Sequence, residues 1–467
     1  MRSPFLLASN LLHSTRCGFS MLKALRSVRY LALPVAAVAL VTCAEWLANM
    51  AGDAPAHAAT WNASGFGPAS YPKALSIAES AIAMGKERVS KGEDEWLRHE
   101  SLAQAHLRRS SLAIDYDDLI LSGKALTRAN RLAPPGSGPL LTEAVYAHKT
   151  HQLGRLKEAL LVIDNFAVHL DPLITAESAS LRGDVAFYSG QPEKARRYYA
   201  KAASHEQNAG VFYRQAILAK SKGEFDGAIA HFNQANMHPA TSTPFANATT
   251  AMQIGAVEMA RGNYEAASEW FTAADRQFSG FWLIEAHLAQ AKAIEGNLAG
   301  AISDMRAIAN RAPSAEIMDA LAMMLRADGQ AAESRRWARR AGEIWAVRLK
   351  QLPEASYGHA LEHELVFGLP SKALDLAKRN VAARPYGEAR LLLAAAHLAN
   401  GQTREAVREL ALAERSGWRS APLYALKAQA LEVSGRSNDA RRAREVALSL
   451  NPRIFDQETS LVWFSHG

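Results

Sequence analysis

Cysteine is nearly missing from this chain: among 467 residues only Cys17 and Cys43 carry a thiol, both close to the N-terminus. The rest can build neither a disulfide framework nor a cysteine-ligated zinc site, and must hold together by packing. Phosphate-cradling and nucleophile motifs are missing as well. There is no Gly-x-x-x-x-Gly-Lys-Ser/Thr loop, no Gly-x-Ser-x-Gly elbow and no Gly-x-Gly-x-x-Gly after a strand, nor any strand-rich region to carry one. With 49% hydrophobic and 21% charged residues, the composition excludes disorder as the dominant state. The net charge of +7 and pI of about 9.3 suggest a nucleic-acid binder until the charge is located. Residues 1–58 hold five basic groups (Arg2, Arg16, Lys23, Arg26, Arg29) against Glu45 and Asp53, so a chain without them keeps +4. Much of the basicity is an addressing signal.

That N-terminal stretch reads as a leader. Lys23, Arg26 and Arg29 precede an apolar run from Leu31 to Ala44, and Ala56-His57-Ala58 offers small residues for a cut before Ala59. A start at Met21 gives a more compact basic region than Met1, so the expectation is that residues 1–20 are a misassigned start. Cleavage as a signal peptide is the first reading. Retention as a membrane anchor is the second, and lipidation at Cys43 the third, although Thr42 departs from the small residue that a lipobox wants. A mitochondrial presequence is the fourth.

From about Leu140 the chain repeats. Glycines mark the period at Gly154, Gly190, Gly223, Gly262, Gly296, Gly329, Gly368, Gly401 and Gly435, with spacings of 36, 33, 39, 34, 33, 39, 33 and 34. Five residues after each comes a small residue, from Ala159 through Ser334 to Ala440. Seven before each comes another, from Ala147 and Gly183 to Ala428, with Leu361 the one exception. Two antiparallel helices approach closely only where neither carries bulk at the crossing, and a glycine between them supplies the turn. Each unit is therefore expected to be a helical hairpin.

This register resembles the tetratricopeptide repeat family, whose unit of about 34 residues places small residues and a turn glycine at these points. A large apolar residue follows the turn by nine in Tyr199, Phe232, Phe271, Met305 and Leu410, and a closing proline by seventeen in Pro313, Pro385 and Pro452. The resemblance implies an all-α fold, a right-handed α-solenoid of about ten stacked hairpins. Residues 59–138 are assigned to a capping helix and a degenerate first repeat, 139–452 to nine repeats, and 453–467 to an apolar tail packing on the last repeat. One long spacing holds a loop with Pro239, Thr241, Ser242, Thr243 and Pro244. The other reads as a second helix lengthened to about Gln351.

In that family the first helices of successive units line a concave groove. Carried onto this chain, the resemblance places Phe187, Tyr213, Ile217, Met252, Met259, Gln290, Met323 and Arg326 there, as sites for other proteins or peptides. The positions that would form the family's Lys/Asn carboxylate clamp contain no Asn. On the outer face, Arg335, Arg336, Arg339, Arg340, Arg348 and Lys350 form a basic stripe between Arg335 and Lys350 suited to anionic lipid or polysaccharide. Nucleic acid is not expected, because the leader exports the chain.

One motif competes. His359-Ala-Leu-Glu362-His363 fits the His-x-x-Glu-His zinc pattern, with both histidines on one helix face. It needs a third ligand that no downstream motif announces. The expectation is thus a non-catalytic interaction scaffold without cofactor, metal or catalytic residue, exported to the bacterial periplasm or anchored on that side of the membrane. The alternatives are a metal-dependent hydrolase centred on 359–363 and a cytoplasmic adaptor whose leader is misread.

Overall fold

Glycine, proline and short polar caps divide the body into helices of 10 to 21 residues. The computed structural model describes residues 66–113, 116–165, 171–237 and 243–464, which leaves the leader, and Pro239, Thr241 and Ser242 of the insert, outside it. All described residues belong to one unit of the chain. The first three helices are α1 (Tyr71–Ser90), α2 (Trp96–Ala113) and α3 (Tyr116–Leu132). Nine consecutive pairs follow: α4–α5 (Leu140–Lys149, Leu153–Asp164), α6–α7 (Pro172–Tyr188, Pro192–His205), α8–α9 (Ala209–Ser221, Phe225–Asn236), α10–α11 (Pro244–Ala260, Tyr264–Gln277) and α12–α13 (Trp282–Ile294, Leu298–Arg311). The last four are α14–α15 (Ala315–Ala327, Ala331–Gln351), α16–α17 (Pro353–Val366, Pro370–Ala383), α18–α19 (Gly387–Ala399, Thr403–Arg415) and α20–α21 (Ala421–Val433, Ser437–Leu450). The chain is an all-α solenoid of helical hairpins, and α15 carries the five extra residues of its unit as added helix.

Local chemistry accounts for the boundaries. Asn208, Thr243 and Ser314 accept from the third backbone N–H of the helices they open, and proline stands at the start of α6, α7, α10, α16 and α17, where no intrahelical donor is lost. At Gly190, φ is 71°, and Gln191 N donates to Ala186 O at 2.9 Å, closing the helix end through a left-handed residue. The small-residue rule has a visible cause at Gly183, where a Cβ would collide with the ring of Tyr199 on the facing helix.

Two of the nine marker glycines are not left-handed. Gly154 lies inside α5, and the left-handed residue of the first hairpin is His151 (φ 61°), with Gln152 N donating to Ala147 O at 2.8 Å. The sequence register of that unit was three residues late, because the helix-end geometry falls on a histidine. Gly368 is not left-handed either. There the Glu364 carboxylate accepts from Leu369 N at 3.0 Å and closes the turn with a side chain.

Residues far apart in sequence meet because the array coils back on itself. Ala69 and Tyr71 pair with Ser279 through Tyr71 N to Ser279 O (2.9 Å) and Ser279 N to Ala69 O (3.2 Å). Trp282 Nε1 donates to Leu112 O at 3.1 Å, Tyr116 Oη to Ala355 O at 3.1 Å, and Arg419 N to Ser221 O at 2.9 Å. These bonds tie loop backbone, helix carbonyls and buried side chains of distant hairpins together.

Candidate functional site

The inner face of the array divides into a filled part and a polar part. In the filled part, Met252, Met259 and Met323 are 3%, 3% and 4% exposed, so they form core and offer no free surface. Gln290 is fully buried and grips the C-terminal segment. Its Oε1 accepts from Trp463 N at 2.6 Å and Phe464 N at 2.8 Å, while its Nε2 donates to Phe464 O at 3.1 Å. The Phe464 ring lies 5.5 Å from His287, and the Trp463 ring 6.3 Å from Phe367. Arg326 braces this wall, donating from Nη1 to Val366 O at 3.0 Å with its guanidinium 5.0 Å from the centre of Phe367.

The tail follows the expectation that it packs on the last repeat only as far as Phe455. Ile454 and Phe455 do pack against the cluster that includes Ala447 and Leu450. Beyond them the 3-10 turn Gln457–Leu461 meets α12 and α14, and Trp463 and Phe464 run into the interior. Unpaired backbone groups and two large rings find better partners there than on the polar α21.

In the polar part, Phe187 is buried among Tyr188, Tyr386 and Trp418, with ring centres 5.3, 6.1 and 6.1 Å away. Tyr213 stacks edge-on against Phe232 at 5.3 Å, and burial pushes its phenol well above the usual range. Ile217 is half-buried against the same cluster. Asp184 ties the surrounding helices together. It accepts from Tyr199 Oη at 2.8 Å and Arg214 Nε at 2.9 Å, and His148 Nε2 lies 3.3 Å away. Burial lowers the Lys220 ammonium to about 8, an effect that the charge of Glu388 opposes.

The histidines of the zinc-like segment do not converge. His363 Nδ1 bonds Asp319 Oδ1 at 2.7 Å, and Trp345 Nε1 donates to the other oxygen at 2.8 Å. His359 turns to Glu362 at 3.1 Å and stacks on Trp345. Among the described residues no group of three or more metal-binding side chains assembles. The segment is a structural brace between α14, α15 and α16.

On the outer face, Arg335, Arg336, Arg339, Arg340 and Lys350 are exposed, but Arg348 is not part of that stripe. Its guanidinium lies 4.1 Å over Tyr116 and donates from Nη1 to both Glu316 oxygens at 2.9 and 3.0 Å, because the lengthened helix turns this position inward. Arg340, Ile344 and Val347 also line a cleft of about 540 Å³ beside Tyr116. No helix of the described residues is long and apolar enough to cross a membrane.

Sequence reasoning passed over Tyr188, Arg384, Tyr386 and Trp418, which lie near helix ends and in loops outside the first-helix positions. The closing Pro385 was the one signal beside them. No family model matches the chain, and no curated protein matches it either. Among solved structures, the crystal structure of the P58(IPK) TPR domain is 12% identical, covering 81% of this chain and 98% of that one, at a TM-score of 0.26. That likeness is too slight to argue from. The hairpin register and the helix pairs carry the fold on their own.

Proposed function

We propose that the chain is a non-catalytic scaffold that takes extended peptide segments of other proteins against the inner face of its hairpin array. The observation that supports this reading is the grip of Gln290 on Trp463 and Phe464. A side-chain amide that pairs with both donor and acceptor of a main chain recognises extended backbone, while flanking apolar walls select the side chains. The tail occupies the place that a partner segment with two adjacent large apolar residues would take. A labelled peptide with the sequence of residues 454–467 tests this. It should bind saturably to a chain truncated after Asp456, bind much more weakly to the intact chain, and lose affinity roughly tenfold or more when Gln290→Ala is added to the truncation. Equal binding to all three chains, or binding to none, would sink the reading.

The working place belongs to the same proposal. The basic, then apolar, then small-residue order of residues 21–58 supports export to the bacterial envelope, where such scaffolds serve assembly or export of surface structures. N-terminal sequencing of the protein from fractionated cells checks it, an unprocessed cytosolic chain being the contrary result. The exposed arginines from Arg335 to Arg340 support an anionic lipid or polysaccharide as a second partner outside the groove, read by binding to anionic against neutral vesicles.

A further inference from the structure

Around the loop joining α17 to α18, the interior holds more hydrogen-bond donors than acceptors. Arg384 is 5% exposed, and its guanidinium lies 5.6 Å from the ring centres of both Tyr188 and Tyr386. Its Nη2 donates to Asn380 Oδ1 at 3.2 Å and its Nε has no partner. No carboxylate among the described residues pairs with it. Asn380 Nδ2, Trp418 Nε1 and His151 Nδ1 are buried and unpartnered too. Ring contacts place these residues in one aromatic cluster: Trp418 is 5.7 Å from Tyr386, Tyr386 is 5.2 Å from Tyr188, and Tyr188 is 5.9 Å from His151.

Neighbouring acids do not fill the deficit. Asp184 is taken up by Tyr199, Arg214 and His148, Glu362 bonds His359, and Glu388 acts on Lys220. A buried cation and several buried donors without acceptors are costly, and such costs persist where a ligand supplies what is missing. His151 adds an independent mark. It is the only non-glycine residue with positive φ among the described residues, at a turn position that glycine holds in seven other hairpins. A histidine accepts that strain here and places a ring nitrogen on the wall.

We propose that this junction is an oxyanion site, taking a carboxylate or phosphate group of a small ligand. Its oxygens accept from Arg384, Asn380 and Trp418, with His151 as a further donor in the tautomer that carries the proton on Nδ1. The planar guanidinium suits a two-oxygen acceptor, and the half-buried faces of Tyr188 and Tyr386 flank whatever the group is attached to.

The test follows thermal unfolding of the full chain in inorganic phosphate and in acetate, each against chloride at equal ionic strength. The unmodified chain should gain roughly 2 °C at tenfold excess over Kd. That gain should vanish in Arg384→Gln and shrink in His151→Gly. The glycine variant relieves the positive φ and is expected to fold at least as well as the parent, so a lost response there reports the site and not the fold. The larger of the phosphate and acetate responses identifies the group. No anion-specific gain in the unmodified chain, or the same gain in all three chains, overturns the proposal and leaves water as the acceptor.

Discussion

Two stretches of the same inner face end in opposite ways. At Gln290 each polar atom of the side chain finds a main-chain partner, and the apolar residues around it are closed over. At Arg384, built from the same kind of hairpin, four buried nitrogens lack an acceptor and the nearby tyrosines stay half-buried. The first stretch has been completed by the chain itself. The second is complete only when something else arrives. Repeat architecture therefore fixes the frame, while the few residues that face inward decide whether a stretch is structure or site.

The largest expected effect comes from the acids that hold the two walls. Asp319→Ala strips His363 and Trp345 of their shared acceptor on the tail side, and Asp184→Ala on the other leaves Tyr199 without its acceptor and Arg214 with Glu177 alone. Each should lower the unfolding free energy by about 3 kcal/mol in denaturant titration, since a broken buried pair leaves its partner uncompensated. If Asp184→Ala costs under about 1 kcal/mol, the polar wall is not held as described.

A smaller effect separates the stretches themselves. Replacing Trp463 and Phe464 together by Ala should cost about 2 kcal/mol and open the methionine side to an apolar fluorescent dye, yet leave the anion response unchanged. Loss of that response with the tail intact elsewhere would merge the two regions into one.

The smallest effect is a pH dependence at Lys220. Its folded pKa lies near 8, below the ordinary value of 10.5, through burial. Unfolded chain thus binds the proton more tightly between those values, and stability rises as pH climbs from 8 toward 10. Against Lys220→Met, which lacks the group, the parent should gain about 1 kcal/mol between pH 7.5 and 9.5, a figure reduced for solvent screening. A parent and variant that follow parallel pH curves would show that Lys220 is hydrated like a surface lysine.

Much of the frame was legible in the sequence because close helix crossing demands small residues at fixed places. Gly183 beneath Tyr199 is the clearest instance, and the period that such pairs impose locates the second to the ninth hairpin. The first hairpin slipped by three residues because a left-handed position normally given to glycine is filled by His151. Arg348 left the basic stripe because five added residues rotate the end of α15 inward, which a count of charges does not register. The groove positions Gln290 and Phe187 were found from the repeat register, but their partners Phe464, Tyr386 and Trp418 were not. Those partners lie some 170 to 230 residues away, brought in by the coiling of the whole array, and no local pattern encodes that.

The central claim is that Gln290 reads an extended main chain held from outside the helix array. Its most direct measurement is the affinity of the 454–467 peptide for the chain truncated after Asp456, with and without Gln290→Ala. Saturable binding that falls at least tenfold with the substitution is the expected result. Binding that ignores Gln290 would contradict the account.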